Sequence, residues 1–383
     1  MKKKLGLYIH IPFCVKKCDY CDFLSAPAND RTKQEYVAKL LDEIRRYKGQ
    51  VEGYTVETIF IGGGTPSTID GASIRSILDT IREVFAVNRP ELSIEVNPGT
   101  VDKDKLTIYK EAGINRLSFG LQSANNKELR LLGRIHTYEE FENNYKLARD
   151  LGFANINIDL MSALPGQTVA SWEETLSKVL ALEPEHISAY SLIIEEGTPF
   201  YERYGSESRA GAKEQLPDEE TERLIYSRTK EIMALKGYKQ YEISNYAKEG
   251  YECNHNISYW TGREYLGLGL GAASLWKNMR FSNTDSFDEY MQAGSLLDIR
   301  RNINHLNIRE QMEEFMFLGL RMRQGICKSE FIKRFGQTMD SIYGKIIKEA
   351  IKDGVIKEVG DYICLTDYGV DVSNMVLSRF LLD

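Results

Sequence analysis

Short apolar, β-branched segments alternate with amphipathic helical patterns over the first 236 residues, and this alternation constrains the fold more than any other feature. Strands that alternate with helices form right-handed βαβ units and a parallel sheet. Since six units fall short of the eight of a closed barrel, the pattern predicts an α/β fold with a curved, partly open (β/α)6 barrel. Asp102, Thr137 and Ser171 are residue types that open helices. The predicted strands are 7–11, 58–61, 92–96, 116–119, 155–160 and 186–194, and the predicted helices are 33–47, 72–85, 102–112, 137–151, 171–182 and 218–236.

Three cysteines, Cys14, Cys18 and Cys21, follow the first strand pattern. Their C-x3-C-x2-C spacing, with no fourth ligand close by, suits a [4Fe-4S] cluster in which one iron stays open to a ligand from outside the protein. Zinc is the alternative, and His10 in the preceding strand is the only local candidate for a fourth ligand. Disulfides are less favoured because three is an odd number and the start of the chain lacks secretory features. We therefore expect an iron-sulfur cluster and a cytoplasmic location.

The cysteine loop resembles the cluster motif of the radical S-adenosylmethionine (SAM) superfamily. This resemblance implies that the open iron binds SAM, and that an electron from the cluster cleaves the sulfonium to a 5'-deoxyadenosyl radical, with an electron donor as partner if SAM is cleaved. The run Gly62-Gly63-Gly64-Thr65-Pro66 follows the second strand pattern. On its own a triple glycine is more often a turn, but here it resembles the GGGTP element that contacts the methionine part of SAM in that superfamily.

Further polar residues at the predicted strand ends match, in order, the SAM-binding positions of the oxygen-independent coproporphyrinogen III dehydrogenase group, called HemN-like. The resemblance implies that Tyr8, Gly63 and Glu95 contact one SAM. It implies a second set of residues, which holds a second SAM in the true dehydrogenases. That second set is Gly64, Thr65, Gln122, Arg134 and Asp159.

A His-Asn-x-x-Tyr-Trp motif at residues 255–260 precedes a glycine-rich run at 265–272. The motif combines an axial nitrogen with flat aromatic faces, which are the ingredients of a haem site, although a structural histidine beside aromatics has the same appearance. It resembles the hallmark of the haem-chaperone branch of the HemN-like group. That resemblance implies haem contact at His255, with Cys253 as a weaker candidate, transfer of haem to an acceptor protein, and a homodimer on haem loading. No CxxCH is present, so attachment of the c-type cytochrome kind is not expected.

Two departures from the dehydrogenase pattern favour the chaperone over the enzyme. Phe23 stands where the group's enzymes have a further cysteine, and the first strand pattern begins within a few residues of Met1 instead of following an extension that covers the substrate. A radical enzyme has to enclose its intermediate, so a smaller cover places porphyrinogen decarboxylation in doubt. An oxygen-independent coproporphyrinogen III dehydrogenase of porphyrin biosynthesis is the alternative function.

The last part of the chain has helical patterns at 309–323, 329–335 and 339–352, then strand patterns at 355–359 and 362–365, and resembles a winged helix. Its 11 basic and 12 acidic residues, within a chain of net charge -7, argue against nucleic-acid binding. Cys327 and Cys364 are expected to be structural thiols. No apolar run is long enough to span a membrane. We expect a radical SAM barrel at 1–236, a connecting region with the haem motif at 237–305, and an α+β domain like the HemN C-terminal domain at 306–383.

Overall fold

A computed structural model of the chain describes residues 2–205 and 214–382. Six strands of these described ranges pair in parallel in the order of the chain, as the sequence predicts. They form the curved sheet of a partial (β/α)6 barrel. These strands are β1 (Lys3–Ile11), β2 (Tyr54–Gly63), β3 (Val87–Val96), β4 (Arg116–Gln122), β5 (Ile156–Ser162) and β6 (His186–Ser191).

Helices follow each of the six strands and cover the outer face of the sheet. Asp102 and Thr137 cap helices as predicted, whereas Ser171 is a correction, because it is the third residue of its helix and not the cap. Thr168 is the cap, and its hydroxyl accepts from the Ser171 amide at 3.2 Å while the Ser171 hydroxyl accepts from the Thr168 amide at 3.0 Å, which forms a capping box. The helices are α1 (Asp30–Arg45), a 3₁₀ turn (Pro66–Thr68), α2 (Gly71–Val84), α3 (Lys103–Glu111), α4 (Asn126–Leu131), α5 (Tyr138–Asp150), α6 (Val169–Leu180), α7 (Pro199–Tyr204) and α8 (Glu219–Leu235).

The strands of the barrel alternate between apolar and polar side chains, and this alternation separates the core from the barrel interior. Leu117 and Phe119 of β4 are buried under the helices, whereas Arg116 and Ser118 line a cavity inside the barrel. Successive residues of a strand point to opposite faces of a sheet, so every second residue faces inward. The sheet therefore encloses buried polar groups, and these build the site described below.

Residues 239–305 extend the sheet at both of its edges. β9 pairs in parallel with β1 and continues into an antiparallel meander, while β8 pairs antiparallel with β6. The strand order over the described residues is therefore β12-β11-β10-β9-β1-β2-β3-β4-β5-β6-β8-β7. The elements of this stretch are β7 (Lys239–Gln240), β8 (Asn245–Ala247), α9 (Asn254–Trp260), β9 (Tyr265–Leu268), β10 (Ala273–Trp276), β11 (Met279–Asn283), α10 (Phe287–Gln292), α11 (Leu296–Ile299) and β12 (Arg300–His305).

The C-terminal part has its own apolar core, around Met316, Phe331, Tyr343 and Phe380. A small antiparallel sheet in the order β13-β15-β14 packs beside helices, so the predicted winged-helix-like α+β arrangement is confirmed. None of the helices in the described ranges is both long and apolar enough to span a bilayer. The elements are α12 (Ile308–Gly319), β13 (Ile326–Cys327), α13 (Lys328–Phe335), α14 (Met339–Lys352), β14 (Ile356–Val359), β15 (Tyr362–Leu365), α15 (Asp367–Asp371) and α16 (Ser373–Ser378).

Candidate functional site

The cysteine loop begins after the carboxyl end of β1 and comes back beside that end at Ala26. A bridge between Phe13 and Ala26 closes the loop, and the Thr65 amide after β2 donates to the Phe13 carbonyl at 2.7 Å. Cys14, Cys18 and Cys21 are free thiols of intermediate exposure that line one cavity of about 300 Å³. The three sulfur ligands predicted from spacing therefore face a common space at the mouth of the barrel.

The donor set in this loop fits an iron-sulfur cube better than a single ion. Among the described residues, no three His, Cys, Asp or Glu side chains lie close enough together to bind a single metal ion. In a cube each thiolate binds a different iron, so the sulfurs need not converge on one point. His10 is not directed at the thiols, because Nε2 lies 2.9 Å from the Leu24 carbonyl oxygen and Nδ1 lies 3.0 Å from the Tyr8 hydroxyl. His10, the candidate for the fourth zinc ligand, therefore uses both ring nitrogens in contacts with other groups.

Gly63 and Gly64 let the end of β2 approach the cysteine loop closely. Gly63 has φ +119°, and a Cβ atom there would lie 2.7 Å from the His10 ring. A Cβ atom on Gly64 would lie 3.0 Å from Cys14 Sγ and 2.8 Å from the Phe13 carbonyl oxygen. Any larger residue would fill the space beside the thiols, so glycine is required at both positions.

Two partly buried carboxylates, Glu95 and Asp159, form part of the wall of the cavity that the cysteines line. Burial and, to a smaller extent, the nearby charge of Asp159 raise the pKa of Glu95 to about 8. Glu95 accepts a hydrogen bond from the Gly63 amide at 3.0 Å, and Asp159 accepts from Ser118 and Asn157 at 3.0 and 2.8 Å. Burial also raises the pKa of Asp159. The pair presents hydrogen-bond acceptors to a ligand that carries hydroxyl or amino groups.

Arg134 places a partly buried positive charge beside the cysteines. Its guanidinium donates to Asn97 Oδ1 at 3.1 Å and to the Tyr20 hydroxyl at 2.9 Å, while its Nε has no hydrogen-bond partner among the described residues. Burial raises the pKa of Cys18, and Arg134 acts against that rise. The partners of the guanidinium are neutral groups, so a cluster held by thiolates or a ligand carboxylate at this position would supply an anionic partner.

All the predicted site residues except Tyr8 and His255 line this cavity. Gln122 lies at the end of β4 with φ +71°, a strained conformation for a residue other than glycine. Tyr8 lines a second, inner cavity of about 190 Å³ toward the amino ends of the strands. The two cavities adjoin, because both are lined by Glu95, Ser118, Asp159 and Tyr190.

Helix α9, which carries the His-Asn-x-x-Tyr-Trp motif, closes the inner cavity from the opposite end. His255 is 1% exposed, its ring stacks on Phe60 of β2 with centroids 5.2 Å apart, and burial lowers its pKa to about 3. His255 Nδ1 lies 2.9 Å from Thr58 Oγ1 and Nε2 lies 2.8 Å from the Tyr259 hydroxyl. Both ring nitrogens therefore have partners within the protein, as expected of the alternative in which His255 is a structural histidine.

Glu91 of β3 fixes the amino end of α9. Its carboxylate accepts from the amides of Asn254 and His255 at 2.9 and 3.0 Å, which supplies the cap that Cys253 does not provide. Burial raises the pKa of Cys253 to about 12. At the other end of α9, the Arg321 guanidinium of the C-terminal part lies 4.5 Å from the centre of the Trp260 ring. The helix thus joins the barrel interior to the C-terminal part.

Several residues of these cavities were not singled out from the sequence. Tyr20, Asn97, Ser118 and Tyr190 line the outer cavity, and Glu91 caps α9. The signal for Ser118 and Tyr190 is their place among the inward-facing polar residues of strands whose other residues are apolar. Glu91 carries no local signal, since its partners lie more than 160 residues away.

Comparisons with known proteins agree with this geometry. The sequence profile of the Radical SAM superfamily matches residues 8–179, and that of the HemN C-terminal domain matches residues 306–372. Proteins named "Heme chaperone HemW" are 35% identical in Bacillus subtilis, over 98% of both chains, and 36% identical in Escherichia coli, over 99% of this chain and 98% of the relative. The chain belongs to the HemW family. A solved structure described as coproporphyrinogen III oxidase (HemN) from Escherichia coli, a radical SAM enzyme, has a TM-score of 0.85 at 24% identity, over 99% of this chain and 90% of that one.

Membership of the HemW family explains why the barrel and the C-terminal part occur in one chain. The structural likeness to HemN shows the fold, and the superfamily implies a [4Fe-4S] cluster and SAM. The Lactococcus lactis protein of the same name is 34% identical over 100% of this chain and 99% of its own length. The family likeness therefore includes α9 and the glycine-rich run, which lie outside the two matched profiles.

Proposed function

We propose that the chain is a haem chaperone, which binds haem and passes it to an acceptor protein while carrying a [4Fe-4S] cluster and an exchangeable SAM. The observation that carries this proposal is the likeness to relatives named as haem chaperones along almost the whole chain. The likeness extends over both cavities and α9, so it includes every residue of the candidate site. The acceptor is a protein that takes up haem.

In this proposal Cys14, Cys18 and Cys21 hold the cluster, and SAM occupies the outer cavity. Glu95, held by the Gly63 amide, binds the hydroxyl or amino groups of SAM, and Tyr8 closes the space behind Glu95 from the inner cavity. Gly64, Thr65, Gln122, Arg134 and Asp159 form the rest of the wall, where the guanidinium of Arg134 attracts a carboxylate. When bound, the cluster and SAM supply one-electron chemistry at the sulfonium.

The proposed haem contact at His255 requires a rearrangement of α9. Both nitrogens of the ring are engaged and the side chain is buried, so an iron atom reaches Nε2 only after the Tyr259 hydroxyl has moved away. Local opening of a short helix is the physical route to such exposure. Cys253 is the weaker candidate because its raised pKa disfavours the thiolate that iron would bind. We therefore expect haem binding to be slow compared with diffusional encounter.

The dehydrogenase alternative gains no support from the residues around the outer cavity. Phe23, which stands in place of the enzymes' further cysteine, is 62% exposed at the mouth. The inner cavity of about 190 Å³ lies below the roughly 300 Å³ at which pockets for drug-sized ligands begin. Neither haem nor a porphyrinogen fits that cavity while the barrel is closed, so its size favours neither function.

The test compares haem transfer with porphyrinogen oxidation in the same anaerobically reconstituted protein. We expect a stoichiometric haem complex, transfer of that haem to apomyoglobin as a probe acceptor, and loss of retention in His255→Ala. His305→Ala, at an exposed histidine, is the matched control and should retain haem. Accumulation of protoporphyrinogen IX from coproporphyrinogen III, with SAM and a reductant present, would establish the enzyme instead. Failure of the wild-type chain to bind haem would overturn the proposal.

A further inference from the structure

The glycine-rich run at 265–272 lies against the cysteine loop, although it is about 250 residues away in the sequence. We infer that Tyr36 and Glu43 of α1, together with Gly269, Leu270 and Gly271, form a clasp that positions the cysteine loop for its cluster. This inference rests on the proposed cluster. It assigns a positioning role to residues outside the predicted site, of which Gly269, Leu270 and Gly271 also lie outside the matched superfamily profile.

Tyr36 is the centre of the clasp. The side chain is fully buried, and its hydroxyl donates to the His10 carbonyl oxygen at 2.7 Å and accepts from the Leu270 amide at 3.0 Å. The Tyr36 ring also meets the edge of the Phe13 ring, with centroids 5.2 Å apart, directly before Cys14. One side chain therefore joins the glycine-rich run to the strand that enters the cysteine loop.

Glu43, about two helical turns after Tyr36 in α1, holds the run in place. Its carboxylate accepts from the Gly269 amide at 2.9 Å, from Asn283 Nδ2 at 2.9 Å and from the Tyr290 hydroxyl at 2.6 Å. Glu43 is 2% exposed and forms no ion pair with another described residue. Burial of a carboxylate is unfavourable unless its lone pairs are occupied, so the three donors have to keep their positions. The carboxylate consequently fixes the geometry of three separate segments.

The two glycines of the clasp touch both ends of the cysteine loop. A Cβ atom on Gly269, which has φ +99°, would lie 2.7 Å from the His10 carbonyl oxygen, before the loop. Gly271 has φ +66°, and a Cβ atom there would press against the Leu24 side chain, after the loop. His10 Nε2 lies 2.9 Å from the Leu24 carbonyl oxygen, so the two contact points are themselves linked. A displacement of the run is therefore transmitted to both ends of the segment that carries the cysteines.

A purely structural role is the alternative, and matched variants separate the two roles. Glu43→Gln replaces one acceptor oxygen by a donor amide, and Gly271→Ala adds the methyl group that presses on Leu24. Glu242→Gln is the control for the first, because Glu242 is 1% exposed and accepts from the Ser244 amide and Asn245 Nδ2 far from the cysteines. Gly360→Ala is the control for the second, because Gly360 has φ +60° with open space around its Cα.

The measurement is the half-life of the reconstituted cluster in air, followed by its visible absorption, together with the EPR spectrum of the reduced cluster and the melting temperature. Loss of groups that orient metal ligands weakens metal binding by about 10-fold or more, so we expect Glu43→Gln to shorten the half-life by about 10-fold. Gly271→Ala, whose added methyl group meets the flexible end of Leu24, should shorten the half-life by less. The two controls should keep the wild-type half-life and spectrum, whatever change they cause in the melting temperature.

Equal half-lives in clasp variants and controls, with the cluster present in all, would overturn the clasp and leave the proposed function intact. A wild-type chain that takes up no iron would overturn both. If Glu43→Gln does not fold, Gly271→Ala decides the matter, because it leaves the hydrogen bonds of Tyr36 and Glu43 unchanged and its added methyl group meets only the flexible end of Leu24.

Discussion

The two ends of the barrel differ in whether their functional side chains already have bonding partners within the protein. At the carboxyl ends of the strands, three free thiols and two partly buried carboxylates line an open cavity of about 300 Å³. At the opposite end, α9 closes the barrel, and both nitrogens of His255 are bonded within the protein. The first end is prepared for a group from outside, whereas the second has to open before it binds one. A chaperone that holds one cofactor permanently and releases another would use both kinds of site.

The largest expected effect concerns the open end. Replacing Cys14, Cys18 or Cys21 by alanine removes one of three thiolates, so anaerobic reconstitution should fall from about four iron atoms per chain to nearly none. Iron and sulfide analysis with the visible spectrum measures this loss. Cys327→Ala and Cys364→Ala are controls in the C-terminal part and should keep full iron content. Full iron content in all three loop variants would show that the site has been placed wrongly.

The second prediction concerns the closed end. His255→Ala removes a buried ring that stacks on Phe60 and bonds to Thr58 and Tyr259, so we expect the free energy of unfolding to fall by about 3 kcal/mol. Urea unfolding of the cofactor-free chain measures the change. His305→Ala, at an exposed position, should change the stability by less than about 0.5 kcal/mol. A variant at 255 as stable as wild type would mean that this end of the barrel is open in solution.

The third prediction uses pH to test the same closure. The pKa of His255 is about 3 in the folded chain, below its ordinary value of 6.5. Below pH 6.5 the unfolded chain binds a proton that the folded chain excludes, so the stability from this group is present above pH 6.5 and is lost as pH falls toward 3. Between pH 8 and pH 5.5, wild type should lose about 1.4 kcal/mol more than His255→Gln. Parallel pH profiles for the two proteins would contradict the burial of His255.

The smallest expected effect lies where α9 meets the C-terminal part. Arg321→Ala removes a cation–π contact with Trp260, worth about 0.5–1 kcal/mol, and should make α9 open several-fold more often. Modification of His255 by diethyl pyrocarbonate, followed by mass spectrometry, reports this opening. His186, which is also buried with both nitrogens bonded, is the internal reference and should keep its rate. An unchanged rate at His255 would show that the C-terminal part does not hold the helix.

Much of the barrel could be predicted from the sequence because its signals are local. The six strand patterns recur at the observed strands, since buried parallel strands are apolar runs, and Asp102 and Thr137 cap the helices that they precede. The capping error at Ser171 arose because Thr168 and Ser171 form a reciprocal pair, in which either residue type is a capping residue. The short strands β7 to β12 have two to six residues each, and β8 and β9 are placed by pairing with β6 and β1, which lie far away in the sequence.

The candidate site also has one part that could be predicted from the sequence and one part that could not. The cysteines and the residues after β2 to β5 gather because the ends of parallel strands meet at one edge of a sheet, so their grouping follows from their order in the chain. The burial of His255 does not follow from the order of residues in the chain, because it depends on Thr58 and Glu91, about 160 to 200 residues earlier. The position of Tyr8 in the inner cavity likewise depends on which face of β1 turns inward. The roles of these residues toward SAM and haem stay predictions.

The most direct test of the open cluster site is the EPR spectrum of the anaerobically reconstituted, reduced chain with and without SAM. An iron atom that no cysteine binds is free to take SAM, so the spectrum of a [4Fe-4S] cluster should appear and should change when SAM is added. Preparations that contain only zinc and give no such spectrum, with or without oxygen excluded, would contradict the account.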